Sequence, residues 1–144
     1  MRSRAGMTLM EVMIVVVVMG ILAAVAIPSY QKAVESGYRR EAQDLLLTIY
    51  SGERSYYFSE KAYLGGLTSG SPQTEWRKIF VDNPKLGSIP VDFSVDAPTP
   101  DTLVVTATRS SGTVPRTMSI NELREWCGGD SDPNNANCQG SWPP

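Results

Sequence analysis

Apolar residues run almost without interruption from Met7 to Ile27, and a single carboxylate, Glu11, lies inside this run. The run is long enough to cross a bilayer as a helix, which needs about 20 apolar residues. A charged side chain is costly in hydrocarbon, so it indicates a functional position when a partner can be named. Residues 12–27 contain no Lys, Arg or His, so no cationic side chain within the run can pair with Glu11.

Three interpretations of the N-terminus compete, and they differ in where the chain is cut. A secretory signal peptide would use the two early arginines as its basic region and be cleaved after Ala26. An uncleaved anchor would keep the whole apolar run. Cleavage between Gly6 and Met7 would instead create an α-amine one helical turn from Glu11. Only the third interpretation gives the carboxylate a cation, from the same chain or from a neighbouring copy.

Beyond Pro28 the apolar positions recur at helical spacing, which predicts one long helix that continues to about residue 57. Most charged positions, Glu53 among them, are expected on the other faces. Pro28 lacks an amide donor and should kink or loosen the helix, and Gly20 should weaken it further. The apolar stripe, which needs a globular domain to cover it, consists of Val34, Tyr38, Ala42, Leu45, Leu46, Ile49 and Tyr57.

The second half of the chain alternates apolar and polar positions in three segments, which predicts three strands. Residues 91–97 (VDFSVDA) resemble a half-buried strand, residues 101–109 (DTLVVTATR) its antiparallel partner, and residues 117–121 (TMSIN) a third strand. Residues 63–76 are predicted to form a loop, with a helical turn in EWRKIF, and the tail from residue 126 is predicted to be loop throughout. One helix on a three- or four-stranded antiparallel sheet is an α+β fold.

Composition narrows the classes of function. The chain of 144 residues has a formal net charge of −2, which argues against a general binder of nucleic acid or anionic membranes. Histidine, the commonest general base and metal ligand, is absent. The sequence contains no phosphate-binding loop or nucleophile motif. We therefore expect no enzymatic activity, no cofactor and no catalytic metal.

Two cysteines, Cys127 and Cys138, enclose ten residues that are nearly all Gly, Asp, Asn, Ser or Pro. In an exported chain this pair favours a disulfide over a metal site, with a free or redox-active pair as the alternative. Asp130, Asp132 and Asn134 copy the first three ligand positions of a calcium loop. The turn glycine and the final glutamate of that loop are missing, so turn chemistry is the preferred interpretation.

The segment AGMTLMEVMIVVVVMGILAAVAIPSY (residues 5–30) resembles the N-terminus of type IV pilins and the related pseudopilins. Their shared pattern is a short basic leader ending in Gly, an apolar residue, Thr-Leu, a further apolar residue, and Glu at the fifth mature position. Gly20 and Pro28 also fall in register with this pattern. The chain departs from it at Met7, where Phe is usual, and at Met10, where Ile is usual.

This resemblance implies how the N-terminus is processed and used. A membrane-embedded prepilin peptidase would cleave after Gly6, and the new terminus at Met7 would be N-methylated. Glu11 would then pair with the N-terminus of a neighbouring subunit during assembly. Residues 1–6 would be the leader and residues 7–30 the transmembrane and filament-core helix.

The resemblance also implies a globular head over residues 31–144 with a C-terminal disulfide loop closed by Cys127 and Cys138. The implied function is a major or minor subunit of a type IV pilus that supports adhesion, twitching motility or DNA uptake. Its partners would be itself, other pilins, the peptidase and the pilus assembly machinery. It would lie in the inner membrane before assembly and in the extracellular pilus afterwards.

Other interpretations stay open on the sequence. A pseudopilin of a type II secretion system is one alternative, and a signal-anchored exported binding domain or enzyme is another. DNA binding is possible within the family, but the basic pairs Arg39-Arg40 and Arg77-Lys78 are short and typical of a solvated face. The aromatic residues after the stripe are expected to be core beneath the loop, or alternatively a contact strip between subunits; they are Tyr56, Tyr57, Phe58 and Tyr63.

Overall fold

The computed structural model describes residues 8–87, 89–110, 116–128 and 142, and within them the predicted α+β class is confirmed. The described strands form one antiparallel sheet in which spatial order follows chain order. The elements are helix α1 (Leu9–Glu60), strand β1 (Leu67–Thr68), helix α2 (Gln73–Trp76), 3₁₀ turns at Arg77–Ile79 and Pro84–Leu86, and strands β2 (Asp92–Asp96), β3 (Val104–Arg109), β4 (Arg116–Asn121) and β5 (Trp126–Cys127).

The chain divides into two compact units, Met1–Ser36 and Gly37–Pro144. In the first unit, residues 8–33 are all exposed, although most of them are apolar. The most apolar 18-residue stretch of α1 has a mean hydropathy of 2.8, and none of it is buried inside the protein. By length and composition this helix can cross a membrane. The helix continues through Gly20 and Pro28, and the kink expected at these positions stays a prediction.

The hydrophobic core of the second unit lies between α1 and one face of the sheet. Alternate residues of β2, β3 and β4 are buried, as the alternation predicts. Val95, Val105 and Ile120 pair directly across three strands and form a buried row. Burying such side chains contributes roughly 1.5–3 kcal/mol each. The fully buried stripe residues of α1, spaced at i, i+4 and i+7, are Ala42, Leu46 and Ile49.

The described sheet has five strands, so the expectation of three or four was too low. Strand β1 lies inside the segment predicted as loop, and β5 opens the tail predicted as loop throughout. Each of these edge strands is only two residues long, too short to show an alternating pattern. They form because neighbouring strands offer backbone hydrogen-bonding groups, which is a tertiary effect.

The tail also contributes to the core, because Trp142 is fully buried. Cys127 lies on β5 opposite Ser119 and is disulfide-bonded. Cys138 lies outside the described residues, as do Asp130, Asp132 and Asn134. The pairing of Cys127 with Cys138 and the interpretation of the acidic segment therefore stay predictions.

Glu53 is fully buried, so the expectation that it lies on a polar face is wrong. It follows Leu46 and Ile49 at i+7 and i+4, and its position therefore falls on the stripe even though its side chain is acidic. One carboxylate oxygen, Oε2, accepts a hydrogen bond of 2.8 Å from the amide of Leu64. The other oxygen, Oε1, has no hydrogen-bond partner among the residues described. Burial raises the pKa of Glu53 to about 7, and the Leu64 amide opposes this rise.

The segment that follows α1 is fastened to the helix by side chains. The Tyr63 ring stacks on Tyr57 with centroids 4.6 Å apart. The Tyr57 hydroxyl donates a hydrogen bond of 2.7 Å to Asp101, and Arg54 donates one of 3.1 Å to the Tyr63 hydroxyl. Together with the Glu53–Leu64 bond, these contacts fix residues 63 and 64 against the end of the helix.

We expect the free energy of unfolding of the second unit to fall as pH rises from about 5 to 8. Glu53 holds its proton in the folded state up to pH about 7 but loses it near its ordinary pKa when unfolded. The stabilisation is therefore complete below the unfolded pKa and lost as pH rises through the folded pKa, by up to roughly 3 kcal/mol. Urea unfolding of a fragment starting at Gln31, which contains the whole described core, measures this loss.

The matched variants for this measurement are Glu53→Gln and Glu41→Gln. The first keeps an acceptor for the Leu64 amide but cannot ionise, so its stability should change little over this pH range. The second removes an exposed carboxylate from the same helix and should retain the parent's pH dependence. Equal pH dependence in the parent and Glu53→Gln would contradict the assignment.

The predicted disulfide is tested by comparing the loss of stability in each single cysteine variant with the loss in the double variant. Closing a loop of this size stabilises a fold by roughly 2–3 kcal/mol. Cys127→Ser and Cys138→Ser should each lower the free energy of unfolding by that amount, and the double variant should lower it no further. A non-reduced digest of exported protein should show the two cysteines linked. Independent effects of the two variants, or free thiols in the exported protein, would refute the pairing.

Candidate functional site

The start of α1 is organised by a reciprocal pair of hydrogen bonds between Thr8 and Glu11. The backbone amide and the hydroxyl of Thr8 both donate to Oε2 of Glu11, each at 2.9 Å. In return the Glu11 amide donates to the Thr8 hydroxyl at 3.4 Å. This is a capping box, in which two amides that have no partner inside the helix are satisfied by side chains.

The capping box corrects part of the sequence interpretation of Glu11. That interpretation gave the carboxylate a partner only after cleavage between Gly6 and Met7. In the structure the carboxylate caps the helix, and a negative charge in the first turn also interacts favourably with the helix dipole. The signal was readable in the sequence, because Thr8-Leu9-Met10-Glu11 has the S/T-x-x-E spacing that precedes helices.

The cap occupies only half of the Glu11 carboxylate. Both described donors reach Oε2, and no hydrogen bond to Oε1 occurs within the residues that the structure describes. Glu11 is exposed, and its neighbours Leu9 and Met10 are 80% and 74% exposed. The carboxylate therefore stands on an open apolar surface with one oxygen able to accept a donor from elsewhere.

The remaining residues predicted to take part in processing lie at or beyond the edge of the described chain. Gly6 and Met7, the predicted cleavage and methylation positions, are outside it. Their distance to Glu11 is therefore not established, and the roles of all three residues stay predictions. Among the residues described, no cluster of three or more His, Cys, Asp or Glu side chains could hold a metal ion.

The aromatic residues at the end of α1 divide between core and surface. Tyr63 is buried and Tyr56 and Tyr57 are half-buried, as expected for core beneath a loop. Phe58 is 66% exposed, so the core assignment is wrong for this residue. Its ring instead lies under the Arg54 guanidinium, 5.5 Å from the ring centroid, in a cation–π contact.

The basic pair Arg77-Lys78 lies on the surface with acidic neighbours. The Lys78 ammonium is 2.6 Å from Glu75, and Nε of Arg77 is 3.9 Å from Asp82. In the other pair, Arg40 is exposed and Arg39 half-buried. Partial neutralisation by neighbouring carboxylates fits the solvated-face interpretation better than a nucleic-acid site.

Comparison with known proteins agrees with this geometry. Residues 1–27 match the family described as "Prokaryotic N-terminal methylation motif". The chain is 33% identical to the type IV major fimbrial protein FimA of Dichelobacter nodosus over 112 residues, which cover 70% of this chain and 69% of that protein. It is 46% identical to the type IV major pilin protein PilA of Myxococcus xanthus (strain DK1622) over 56 residues, which cover 39% of this chain and 25% of that protein. No solved structure is significantly similar to the chain.

Proposed function

We propose that this chain, which belongs to the type IV pilin family, is a structural subunit, major or minor, of a type IV pilus. The observation that carries the proposal is the half-occupied carboxylate of Glu11 at the start of an exposed apolar helix, inside a methylation motif. Both similar proteins are named as major pilus subunits, which supports a pilus rather than a secretion pseudopilus. It also supports a structural rather than an enzymatic role.

Processing would create the partner that Glu11 lacks. A prepilin peptidase would cleave after Gly6, and the freed α-amine of Met7 would then be N-methylated, which keeps it cationic. Because Oε2 already accepts two hydrogen bonds from Thr8, Oε1 is the atom that would accept a hydrogen bond from this amine. The partner amine would come from a neighbouring subunit, so the contact would form during assembly.

The apolar part of α1 would be surrounded by lipid before assembly and by the same helix of neighbouring subunits afterwards. Its side chains are exposed on all faces in the single chain, so they require either hydrocarbon or neighbouring subunits around them. Before assembly the helix would hold the subunit in the inner membrane, and the assembly machinery would move it into an extracellular filament. Gly20 and Pro28 would be the points where the helix bends during this transfer.

The resulting pilus would serve adhesion, twitching motility or DNA uptake. The exposed basic pair Arg77-Lys78 is too small to support direct DNA binding, and its Lys78 is already paired with Glu75. The subunit's partners would therefore be other pilins, the peptidase and the assembly machinery, with no cofactor.

Processing is tested by the mass of the mature protein. Cleavage after Gly6 would leave 138 of the 144 residues (144 − 6), beginning with N-methyl-methionine. Intact-mass analysis and N-terminal sequencing of filament protein would identify both changes. A mature chain that begins after Ala26 would show that the segment is a signal peptide and overturn the proposal.

Two variants separate the capping role of Glu11 from its role in assembly. Glu11→Gln keeps a side chain able to complete the capping box but removes the negative charge. Thr8→Val removes the hydroxyl that donates to the Glu11 carboxylate and accepts from the Glu11 amide. It keeps the negative charge of Glu11. If pairing with a neighbouring amine drives assembly, Glu11→Gln should reduce sheared filaments by roughly tenfold or more, and Thr8→Val should reduce them far less.

Membrane insertion and cleavage are measured alongside, by fractionation and mass, because Thr8 lies beside the cut. Both variants should be inserted and processed like the parent. Equal filament yield from Glu11→Gln and the parent would refute the assembly role. A larger loss in Thr8→Val would show that the cap is the important function.

A further inference from the structure

The head carries an aromatic side chain that its own fold leaves in solvent. Phe80 is 80% exposed, and its backbone is in the left-handed conformation at φ 60° and ψ 24°. A bulky residue is disfavoured there, and glycine or asparagine would be less strained. The chain thus places an aromatic residue where neither packing nor backbone preference favours one, which points to a contact outside the subunit.

The residues on either side of Phe80 form a rigid base. Ile79 and Val81 are buried, and the Ile79 carbonyl lies so close to α1 that a Cβ added at Gly52 would be 2.3 Å from it. The Phe80 amide donates to the Arg77 carbonyl at 3.1 Å, which closes the 3₁₀ turn. Because this base is fixed, docking the ring costs little conformational entropy.

A second surface of the head is an open and largely apolar groove. An open groove with a volume of about 680 Å³ is lined by Gly65, Gly66, Asp96, Ala97, Pro98 and Val104. Most of these side chains are small or apolar, so the groove can receive an aromatic ring. Asp96 lies at the end of β2, pairs with Val104 in register and is exposed. Its carboxylate makes no hydrogen bond or ion pair with any other residue in the described ranges.

The two surfaces also have complementary charge. Arg77, three residues before Phe80, has a side chain that is 71% exposed, and its contact with Asp82 is a loose 3.9 Å approach through Nε. Its two terminal nitrogens can therefore reach another carboxylate. Asp96 in the groove offers one, in the geometry that arginine prefers.

The two surfaces are different patches that leave each other free within the subunit: Phe80 is exposed, and no ion pair joins Arg77 to Asp96 in the described chain. Phe80 precedes the turn Pro84–Leu86, which is held to the start of β2 by the 3.5 Å contact of Lys85 with Asp92. The groove lies at the other end of β2, at Asp96, about 13 Å further along the strand. Contact between two different patches of identical chains is heterologous, and such contacts repeat into helical filaments when they do not close.

Resting on the proposed function, we infer that Phe80 and Arg77 of one subunit dock into the Gly65–Val104 groove of the next subunit, with Arg77 paired to Asp96. The occupant of the groove is therefore a second copy of this chain. This contact would join neighbouring heads, in addition to the packing of the apolar helices.

Photo-cross-linking in assembled filaments tests the contact directly. A photoreactive benzoylphenylalanine is placed at position 80 of the full chain, and cross-linked dimers from sheared filaments are isolated under denaturing conditions. In these dimers the cross-link from position 80 should reach the peptide that contains residues 65–66 or 96–98. The same probe at position 123, which replaces another exposed large apolar residue, Leu123, should not reach that peptide of a second subunit.

A charge exchange tests the ion pair separately. Arg77→Glu and Asp96→Arg should each lower the mass of sheared filaments by roughly tenfold, the factor that about 1.4 kcal/mol per contact would give. The double variant should recover most of the loss, because it restores an opposite pair. Thermal unfolding of each full-length variant in detergent shows whether a variant has lost its fold, and a folded double variant without recovery would overturn the ion pair.

The outcomes distinguish this contact from the proposed function. If the parent chain forms no filaments, the proposed function fails and the contact fails with it. If the parent forms filaments but cross-links from position 80 map to other segments, or do not join two subunits, the contact alone is overturned.

Discussion

The apolar surface of the first half of α1 is not covered by any residue that the structure describes, and this constraint governs the rest of the molecule. Residues 8–33 are exposed, and the hydrophobic effect makes such a surface unfavourable in water. A helix satisfies its own backbone hydrogen bonds, so the segment is stable wherever its side chains meet lipid or other apolar helices. The apolar half of the helix is therefore satisfied only in a membrane or in an assembly of like helices.

Glu11 is a charged residue on this apolar surface, and its carboxylate is already partly satisfied within the helix. Inside an apolar helix a carboxylate needs a partner, and the Thr8 capping box supplies one without leaving the chain. The cap engages one oxygen and leaves the other open. A single residue can thereby stabilise the helix end in an isolated subunit and still recognise a cation on another. The two roles are compatible because a carboxylate has two acceptor atoms.

The second unit is built on the opposite principle, since its apolar residues are covered. Its stripe residues Ala42, Leu46 and Ile49 are fully buried, and the segment after the helix is fixed by Glu53, Tyr57 and Tyr63. Among the described residues of this unit, only a few large apolar side chains stay in solvent. Phe80 differs from the others because its ring is exposed and its backbone also has a positive φ, which is strained for a bulky residue. Such exposed, rigid apolar groups are suited to contacts between heads, where weak individual contacts repeat along a filament.

The sequence by itself determined the long helix, its apolar first half, the three long strands and the family, because each rests on periodicity or on a motif of contiguous residues. The helical stripe and the alternation in β2, β3 and β4 report burial directly. The pattern at residues 5–30 places Glu11 five residues after the predicted cleavage position, Gly6. Even the capping box was present in the sequence as Thr8 and Glu11 at the required spacing.

The tertiary structure decided what depends on contacts between distant residues. The edge strands β1 and β5 form because each lies beside a longer strand. The residues of β1 and β5 alone do not predict this pairing. Glu53 is buried because its position on the helix face outweighs its charge, and its pKa follows from that burial. Trp142 is core although it lies in a tail of turn residues. In each case the residue type or its neighbours in the sequence suggested solvent or loop, and the position of other elements in space determined the outcome.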